Sequence, residues 1–134
     1  MTRINVVPVE ELCDQHLFAE FRELTRIPNG IRDGKMKTEY RDAPLQYTLG
    51  AGHVKFFADK LGYLKQRYDQ LYKELLYRNY SVTYIWPESL PKYAKHLHYE
   101  PTRDALAINR ERIQIRMPAK ARWTNRKEIK CSAM

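Results

Sequence analysis

The sequence predicts an all-α fold in a single domain that spans residues 1–134. Two observations lead to this prediction. Three segments place apolar residues every three or four positions, the spacing of an amphipathic helix, and the alternating pattern of strands is sparse. A chain of 134 residues with 43% hydrophobic residues is also long enough to bury one core. We therefore expect three main helices joined by long irregular connections.

The first helix is predicted to begin at Asp14, a favourable N-cap residue, and to run to Arg26. Pro28-Asn29-Gly30 is expected to end it, and residues 28–47 are expected to form an irregular loop. At about 100° per residue, one side of this helix is apolar and is expected to face the core. That side consists of Leu17, Phe18, Phe21 and Leu24.

The second helix is the clearest and is expected to run from just after Gly50-Ala51-Gly52 to Asn79. Its apolar positions are Val54, Phe57, Leu61, Leu64, Tyr68, Leu71 and Leu75. A phosphate site is one interpretation of the residues from Gly50 to His53, and tight chain packing, which we favour, is the other. Residues 80–100 are expected to hold no long element. A third helix is predicted from Thr102 to Met117, before Pro118.

The charge is positive and unevenly distributed. Lys and Arg number 24 against 16 Asp and Glu, giving a net charge of +8 and an isoelectric point near 9.5. From position 103 onward nine basic residues face three acids, so six of the eight net charges lie there. The basic residues are Arg103, Arg110, Arg112, Arg116, Lys120, Arg122, Arg126, Lys127 and Lys130. Such a run attracts the phosphate backbone of nucleic acid, although a solvated tail explains the charge equally well. Trp123 within the run favours binding, because an aromatic ring there can stack on bases.

Several classes of protein are disfavoured. No apolar stretch approaches the length of a bilayer, and the first residues, MTRINVVPVEEL, do not have the pattern of a secretory signal. We therefore expect a cytoplasmic protein without a membrane partner. Cys13 and Cys131 have no metal-ligand spacing, so we predict unpaired thiols, no metal site and no cofactor.

The side of the first helix opposite its apolar face groups polar residues around a small alanine. The stripe consists of Gln15, Ala19, Arg22 and Arg26, with His16 and Glu23 along its edge. This grouping is compatible with a functional face. It is equally compatible with a solvated face on which the two arginines form ion pairs with Glu20 or Glu23.

Three segments resemble a known family: MTRIN at 1–5, ELCDQHLFAEFRELTRI at 11–27 and LGAGHVKFFADKLGYL at 49–64. They are similar to the pyrimidine-dimer DNA glycosylase and abasic-site lyase family, which includes endonuclease V of T-even phages. The resemblance implies one all-α domain that flips a nucleotide out of ultraviolet-damaged duplex DNA, cuts its glycosidic bond and nicks the backbone at the abasic sugar. It also implies a phage-encoded enzyme in a bacterial cytoplasm. We expect it to act as a monomer on duplexes that contain pyrimidine dimers or abasic sites.

The resemblance assigns two catalytic residues. The α-amino group of Thr2 is the implied nucleophile, which forms an imine with sugar C1′ and requires removal of Met1, and Glu23 is the implied acid. The residues implied to contact DNA are Arg3, Gln15, His16, Arg22, Arg26 and Trp123. The basic run adds Arg116 and Lys120 to these DNA-binding residues.

Two other functions remain open at this point. The same imine chemistry could act on another lesion, such as an oxidised or ring-opened purine, because the chain departs from the family pattern at 28–45 and after Trp123. A non-catalytic basic DNA-binding protein is the other alternative.

Overall fold

Helices supply the regular secondary structure of the described residues, 3–81 and 83–126, in this computed structural model. The elements are a 3-10 turn at Val9–Glu11, α1 at Asp14–Leu24, α2 at Arg26–Arg32, α3 at His53–Phe57, α4 at Leu61–Tyr77 and α5 at Arg103–Ile115. This part of the chain contains no strand, and a single isolated bridge pairs Lys60 with His96. The prediction of an all-α fold is confirmed. Within the same residues, no helix is both long and apolar enough to cross a bilayer.

The core is centred where α1 packs along α4. Leu17, Phe21 and Leu24 are fully buried on α1, and the ring of Phe21 stacks on that of Tyr68 with centroids 5.0 Å apart. Burial of each such apolar side chain stabilises the fold by about 1.5–3 kcal/mol. The predicted apolar side of the first helix is therefore confirmed, with Phe18 half-buried beside it.

The first helix ends earlier than expected, and the residues predicted to break it form a helix of their own. α1 stops at Leu24, and α2 runs through Pro28 and Gly30. Proline is tolerated here because it lies in the first turn, where backbone N–H groups have no acceptor within the helix. The side chains of Ile27 and Ile31 are buried and hold α2 against the core. The loop predicted for residues 28–47 is thus wrong at its start.

The predicted second helix is two helices, α3 and α4, interrupted between Phe57 and Leu61. The cause is a segment distant in sequence, residues 95–97, which runs beside the interruption and takes its backbone hydrogen bonds. Leu61 N–H donates to the carbonyl of Lys95, and Leu97 N–H donates to the carbonyl of Asp59. The close approach requires a glycine at position 62, since a Cβ there would lie 2.6 Å from the carbonyl oxygen of His96.

The third helix is confirmed as α5 at Arg103–Ile115, which begins one residue later and ends two residues earlier than predicted. Thr102 is its N-cap, and the Thr102 hydroxyl accepts a hydrogen bond from the backbone N–H of Ala105 at 3.0 Å. No helix occurs in the described part of 80–100, as expected.

Asp14 does not cap α1, contrary to the prediction. Cys13 occupies the N-cap position, and the Asp14 carboxylate instead accepts hydrogen bonds from Arg78, Tyr80 and Thr124. Burial alone would raise the pKa of Asp14, but the hydrogen bonds from Thr124, Tyr80 and Arg78 outweigh it and lower that pKa. This carboxylate therefore ties the C-terminal part of the described chain to the start of α1.

Candidate active site

A cavity of about 160 Å³ lies between α1, α5 and the N-terminal segment, which we define as residues 3–7. Its lining residues are Arg3, Asn5, His16, Ala19, Glu20, Glu23, Arg112, Ile113 and Arg116. The structure thereby brings together four of the predicted site residues: Arg3, His16, Glu23 and Arg116. The volume is below the roughly 300–1,000 Å³ of most small-molecule pockets, so the cavity suits a small reacting group.

Glu23 lies beside the start of the chain. Its Oε2 accepts a hydrogen bond from the backbone N–H of Arg3 at 3.1 Å. That nitrogen belongs to the peptide bond that joins Arg3 to Thr2. Thr2 itself, the predicted nucleophile, lies outside the described residues.

His16 lines the cavity as a neutral imidazole. Its Nε2 lies 3.1 Å from the carbonyl oxygen of Arg116, so Nε2 carries the proton and donates it. Burial lowers the pKa of His16 and the charge of Arg3 lowers it further, although the hydrogen bond to Arg116 acts in the opposite direction. The buried Nδ1 accepts no hydrogen bond from the described part of the chain. A ligand that donates a hydrogen bond could therefore be held at Nδ1.

Three guanidinium groups, those of Arg3, Arg112 and Arg116, line the same cavity as the Glu23 carboxylate. The pKa of Arg3 is lowered by burial and then by the like charges of Arg112 and Arg116, while Glu23 raises it. Sequence reasoning missed Arg112 as a site residue, although it is one turn of α5 from Arg116 and so shares its face. The Nε of Arg112 is buried without a hydrogen-bond partner among residues 3–81 and 83–126. The cavity therefore carries excess positive charge, which favours an anionic ligand such as a phosphate.

The second carboxylate of the cavity, Glu20, is not available for chemistry. Arg67 holds it by two hydrogen bonds, at 2.7 and 3.0 Å, and the side-chain amide of Asn5 donates to it at 2.9 Å. Glu20 is buried, so it cannot form the surface ion pairs that were considered for Arg22 and Arg26.

Arg22 and Arg26 are exposed and do not line the cavity. Among the described residues, neither arginine forms an ion pair with Glu20 or Glu23, and both a solvated face and a functional face remain predictions for this side of α1. Contact of these two arginines with DNA remains a prediction.

Gln15 holds the C-terminal part of the described chain. Its side-chain Nε2 donates to the carbonyl of Lys120 at 2.8 Å, and its Oε1 accepts from the backbone N–H of Arg122 at 3.0 Å. The amide that was predicted to contact DNA thus positions Lys120, whose side chain is exposed. Trp123 is half-buried, and no described residue accepts a hydrogen bond from its Nε1. DNA contacts by Gln15, Lys120 and Trp123 remain predictions.

A larger groove of about 940 Å³ lies between the N-terminal segment, α4, residues 98–101 and α5. None of the predicted site residues lines it. Its most buried acid, Glu74, is already paired with Arg78 and Arg126. We therefore assign the candidate site to the smaller cavity, which contains the free carboxylate.

The described residues contain no group of three or more His, Cys, Asp or Glu side chains placed to hold a metal ion. Cys13 is a buried free thiol, and Cys131 lies outside the described residues.

An all-α fold with a basic cavity, a carboxylate in that cavity and the N-terminal segment beside it is compatible with a protein that acts on an anionic substrate such as DNA. Comparison with models of known families agrees. Residues 1–88 match the family described as pyrimidine dimer DNA glycosylase, and the chain belongs to that family. It is therefore a DNA glycosylase, and DNA is its substrate. The match includes Arg3, His16 and Glu23 but stops before α5, so Arg112 and Arg116 join the site through the fold alone.

Proposed function

We propose that the protein is a bifunctional glycosylase and abasic-site lyase for cyclobutane pyrimidine dimers in duplex DNA. The α-amino group of Thr2 is the nucleophile, and Glu23 transfers the protons. The observation that carries the proposal is the hydrogen bond from Arg3 N–H to Glu23 Oε2 at 3.1 Å. This bond supports the proposal because the Glu23 carboxylate contacts the residue that follows Thr2 in the sequence.

An N-terminal amine suits this reaction because its ordinary pKa is about 7.7–8.0, whereas that of a lysine is near 10.4. A substantial fraction of the amine is then neutral at cellular pH and able to attack. The guanidinium groups of Arg3, Arg112 and Arg116 line the cavity and favour the neutral amine by like-charge repulsion.

The reaction proceeds through an imine. The neutral amine attacks C1′, the C1′–N bond breaks, and the base leaves with that electron pair and takes up a proton. The C1′–O4′ bond then opens with a proton to O4′, which yields the imine. Loss of a proton from C2′ breaks the C3′–O bond and nicks the strand, and water then hydrolyses the imine. Glu23 is the carboxylate of the cavity that no arginine of the described residues holds in an ion pair, so it is free to move these protons and to stabilise the cationic imine.

The basic surface around the cavity holds the duplex through its phosphates. Arg22, Arg26 and Lys120 are exposed, and contacts of such side chains with phosphates position DNA without reading sequence. A dimer pairs poorly, so flipping its nucleotide out of the stack costs less than flipping an intact one. We further propose that the enzyme works as a monomer in the cytoplasm and needs no metal.

Borohydride trapping tests the proposal directly, because only an imine is reduced to a stable crosslink. Duplexes with one cis-syn thymine dimer, one abasic site or no lesion are incubated with the protein in the presence of a chelator. We expect crosslinks on the first two duplexes and none on the third. Glu23→Gln is expected to abolish them, whereas Glu88→Gln, an exposed acid outside the cavity, is the matched control.

The mass of the crosslinked protein gives a second test. While Met1 is attached, the nitrogen of Thr2 is an amide and cannot form an imine, so active protein must lack Met1. Crosslinking of protein that retains Met1 would rule out the mechanism. Crosslinking on the abasic duplex alone would restrict the activity to that of a lyase.

A further inference from the structure

The backbone of the N-terminal segment is held by side chains, because it belongs to no helix or strand. Ile4 N–H donates to His53 Nε2 at 2.7 Å, and the Ile4 carbonyl accepts from the Tyr47 hydroxyl at 3.0 Å. The N–H groups of Val6 and Val7 both donate to Asn109 Oδ1, at 2.7 and 3.1 Å. Buried backbone groups need such partners, so these side chains determine where the segment lies.

The hydrogen bond from Ile4 N–H to His53 Nε2, which we call the tether, acts on the residue next to Arg3. The Nε2 of His53 accepts a hydrogen bond from Ile4 N–H and must therefore carry no hydrogen itself. Its Nδ1 lies 2.8 Å from the carbonyl oxygen of Thr48 and must therefore carry the hydrogen. The two bonds are compatible with one state only, the neutral imidazole with its hydrogen on Nδ1.

The surroundings of His53 favour this neutral state. The ring is buried and packs edge-to-face against the rings of Tyr47 and Phe57. Burial lowers the pKa of His53, the Thr48 carbonyl raises it, the charge of Arg3 lowers it, and the charges of Glu20 and Glu23 raise it. Together these effects lower the pKa of His53 below that of an ordinary histidine, so the ring stays neutral near pH 7.

The tether affects the proposed reaction because Ile4 lies two residues after Thr2, the proposed nucleophile. Ile4 follows Arg3, whose N–H is bonded to Glu23, so His53 and Glu23 hold consecutive peptide groups. A proton on His53 Nε2 would face the Ile4 N–H, and the segment would have to move away. Displacement of a reacting group by about 1 Å can lower a rate about 100-fold.

We propose that His53 is a positioning residue, which in its neutral form fixes the start of the chain against Glu23 and releases it on protonation. This inference rests on the proposed function, since the positioned group is the amine of Thr2. It also agrees with the tight chain packing that we favoured for residues Gly50 to His53. Gly52 has a left-handed backbone, φ +88°, and directly precedes His53, the first residue of α3.

The first experiment needs no activity. Hydrogen exchange of the Ile4 amide and the ¹⁵N shifts of His53 are followed by NMR from about pH 5 to 8, the range in which histidine titrates. We expect a protected Ile4 amide and an unprotonated Nε2 at neutral pH, with protection lost as His53 gains its proton. An exposed Ile4 amide at neutral pH, or a hydrogen on Nε2, would overturn the tether.

The second experiment compares two variants in single-turnover nicking of the dimer duplex. His53→Leu removes the acceptor, and its rate is expected to fall about 10- to 100-fold. Its dissociation constant for a duplex with a stable abasic analogue should stay within about twofold of the wild-type value, since the side chain of His53 is buried. His53→Gln retains a hydrogen-bond acceptor that does not titrate, so its nicking rate should be close to that of the wild-type protein at neutral pH. As pH is lowered, its rate should fall less than the wild-type rate, because the contribution of His53 protonation is absent.

The matched control is His98→Gln, which changes an exposed histidine outside the cavity. Melting temperatures identify folded variants, and if His53→Leu does not fold, the NMR experiment on the wild-type protein decides the proposal. Full rate in folded His53→Leu, or equal losses in His53→Leu and His53→Gln, would overturn the positioning role. Absence of an imine in the wild-type protein would overturn the proposed function itself, whatever the NMR data show.

Discussion

Arg67 of α4 holds Glu20 of α1 through two buried hydrogen bonds, Nε to Oε2 at 2.7 Å and Nη2 to Oε1 at 3.0 Å. The side chains are only 3% and 1% exposed. The pair neutralises one of the two carboxylates of the cavity. Glu23 is left without an ionic partner in the part of the chain that the structure describes. Thus α4, which does not line the cavity, determines which acid of α1 stays free.

Loss of either partner of this pair should destabilise the fold strongly. Arg67→Met or Glu20→Gln leaves a buried charge without its counterion, and we expect the free energy of unfolding to fall by about 3–5 kcal/mol. Urea unfolding of the single and double variants measures the effect and the coupling. The double variant should lose less than the sum of the single losses. Single losses near zero would mean that the pair is not buried as described.

Arg112 should contribute to DNA affinity through a phosphate. We expect Arg112→Gln to weaken binding to damaged and intact duplexes alike and to reduce the slope of log K against log salt by about 0.9. Fluorescence anisotropy at several salt concentrations measures both quantities. Arg103→Gln removes the same charge from the exposed first turn of α5, outside the cavity, and should change binding less. Equal effects of the two variants would contradict a specific role for Arg112.

Acid should weaken the fold through Asp14. Its pKa is lower in the folded protein than in the unfolded chain, so its contribution is complete above the unfolded value of about 3.9. The contribution is lost as pH falls through the lower, folded-state pKa. We expect Asp14→Asn to cost about 2–3 kcal/mol at neutral pH, the value of hydrogen bonds to a charged group.

Urea unfolding from neutral pH down to about pH 2 tests this expectation. The Asp14→Asn protein should show a smaller change of unfolding free energy with pH than the wild-type protein. Asp69→Asn, at an exposed position of α4, is the control and should follow the wild-type curve. An unchanged pH dependence in Asp14→Asn would show that another acid is responsible.

The helices and their buried faces could be predicted because they depend on local spacing. Leu17, Phe21 and Leu24 recur with the period of a helix, and Thr102 is a favourable cap whatever the rest of the fold does. The same rule already placed Glu20 on the apolar side, three residues after Leu17, and so could have shown that Glu20 is buried rather than on the surface.

The remaining features depend on contacts between distant parts of the chain. The break between α3 and α4 exists because residues 95–97 take its hydrogen bonds, and no local signal marks it. Arg112 reaches the site because α5 packs beside the N-terminal segment, more than a hundred positions away in sequence. His53 looked like a packing residue because its partner, Ile4, lies far from it along the chain.

The two walls of the cavity have separate origins in the sequence. One wall, with Glu23 and His16, lies within the region that matches the family, and the other, with Arg112 and Arg116, is added by α5 beyond it. Under the proposed function the first wall breaks bonds and the second attracts phosphates. Under that proposal, substitutions in α5 change the affinity for DNA while the bond-breaking residues stay unchanged, so affinity and reaction can vary independently of each other.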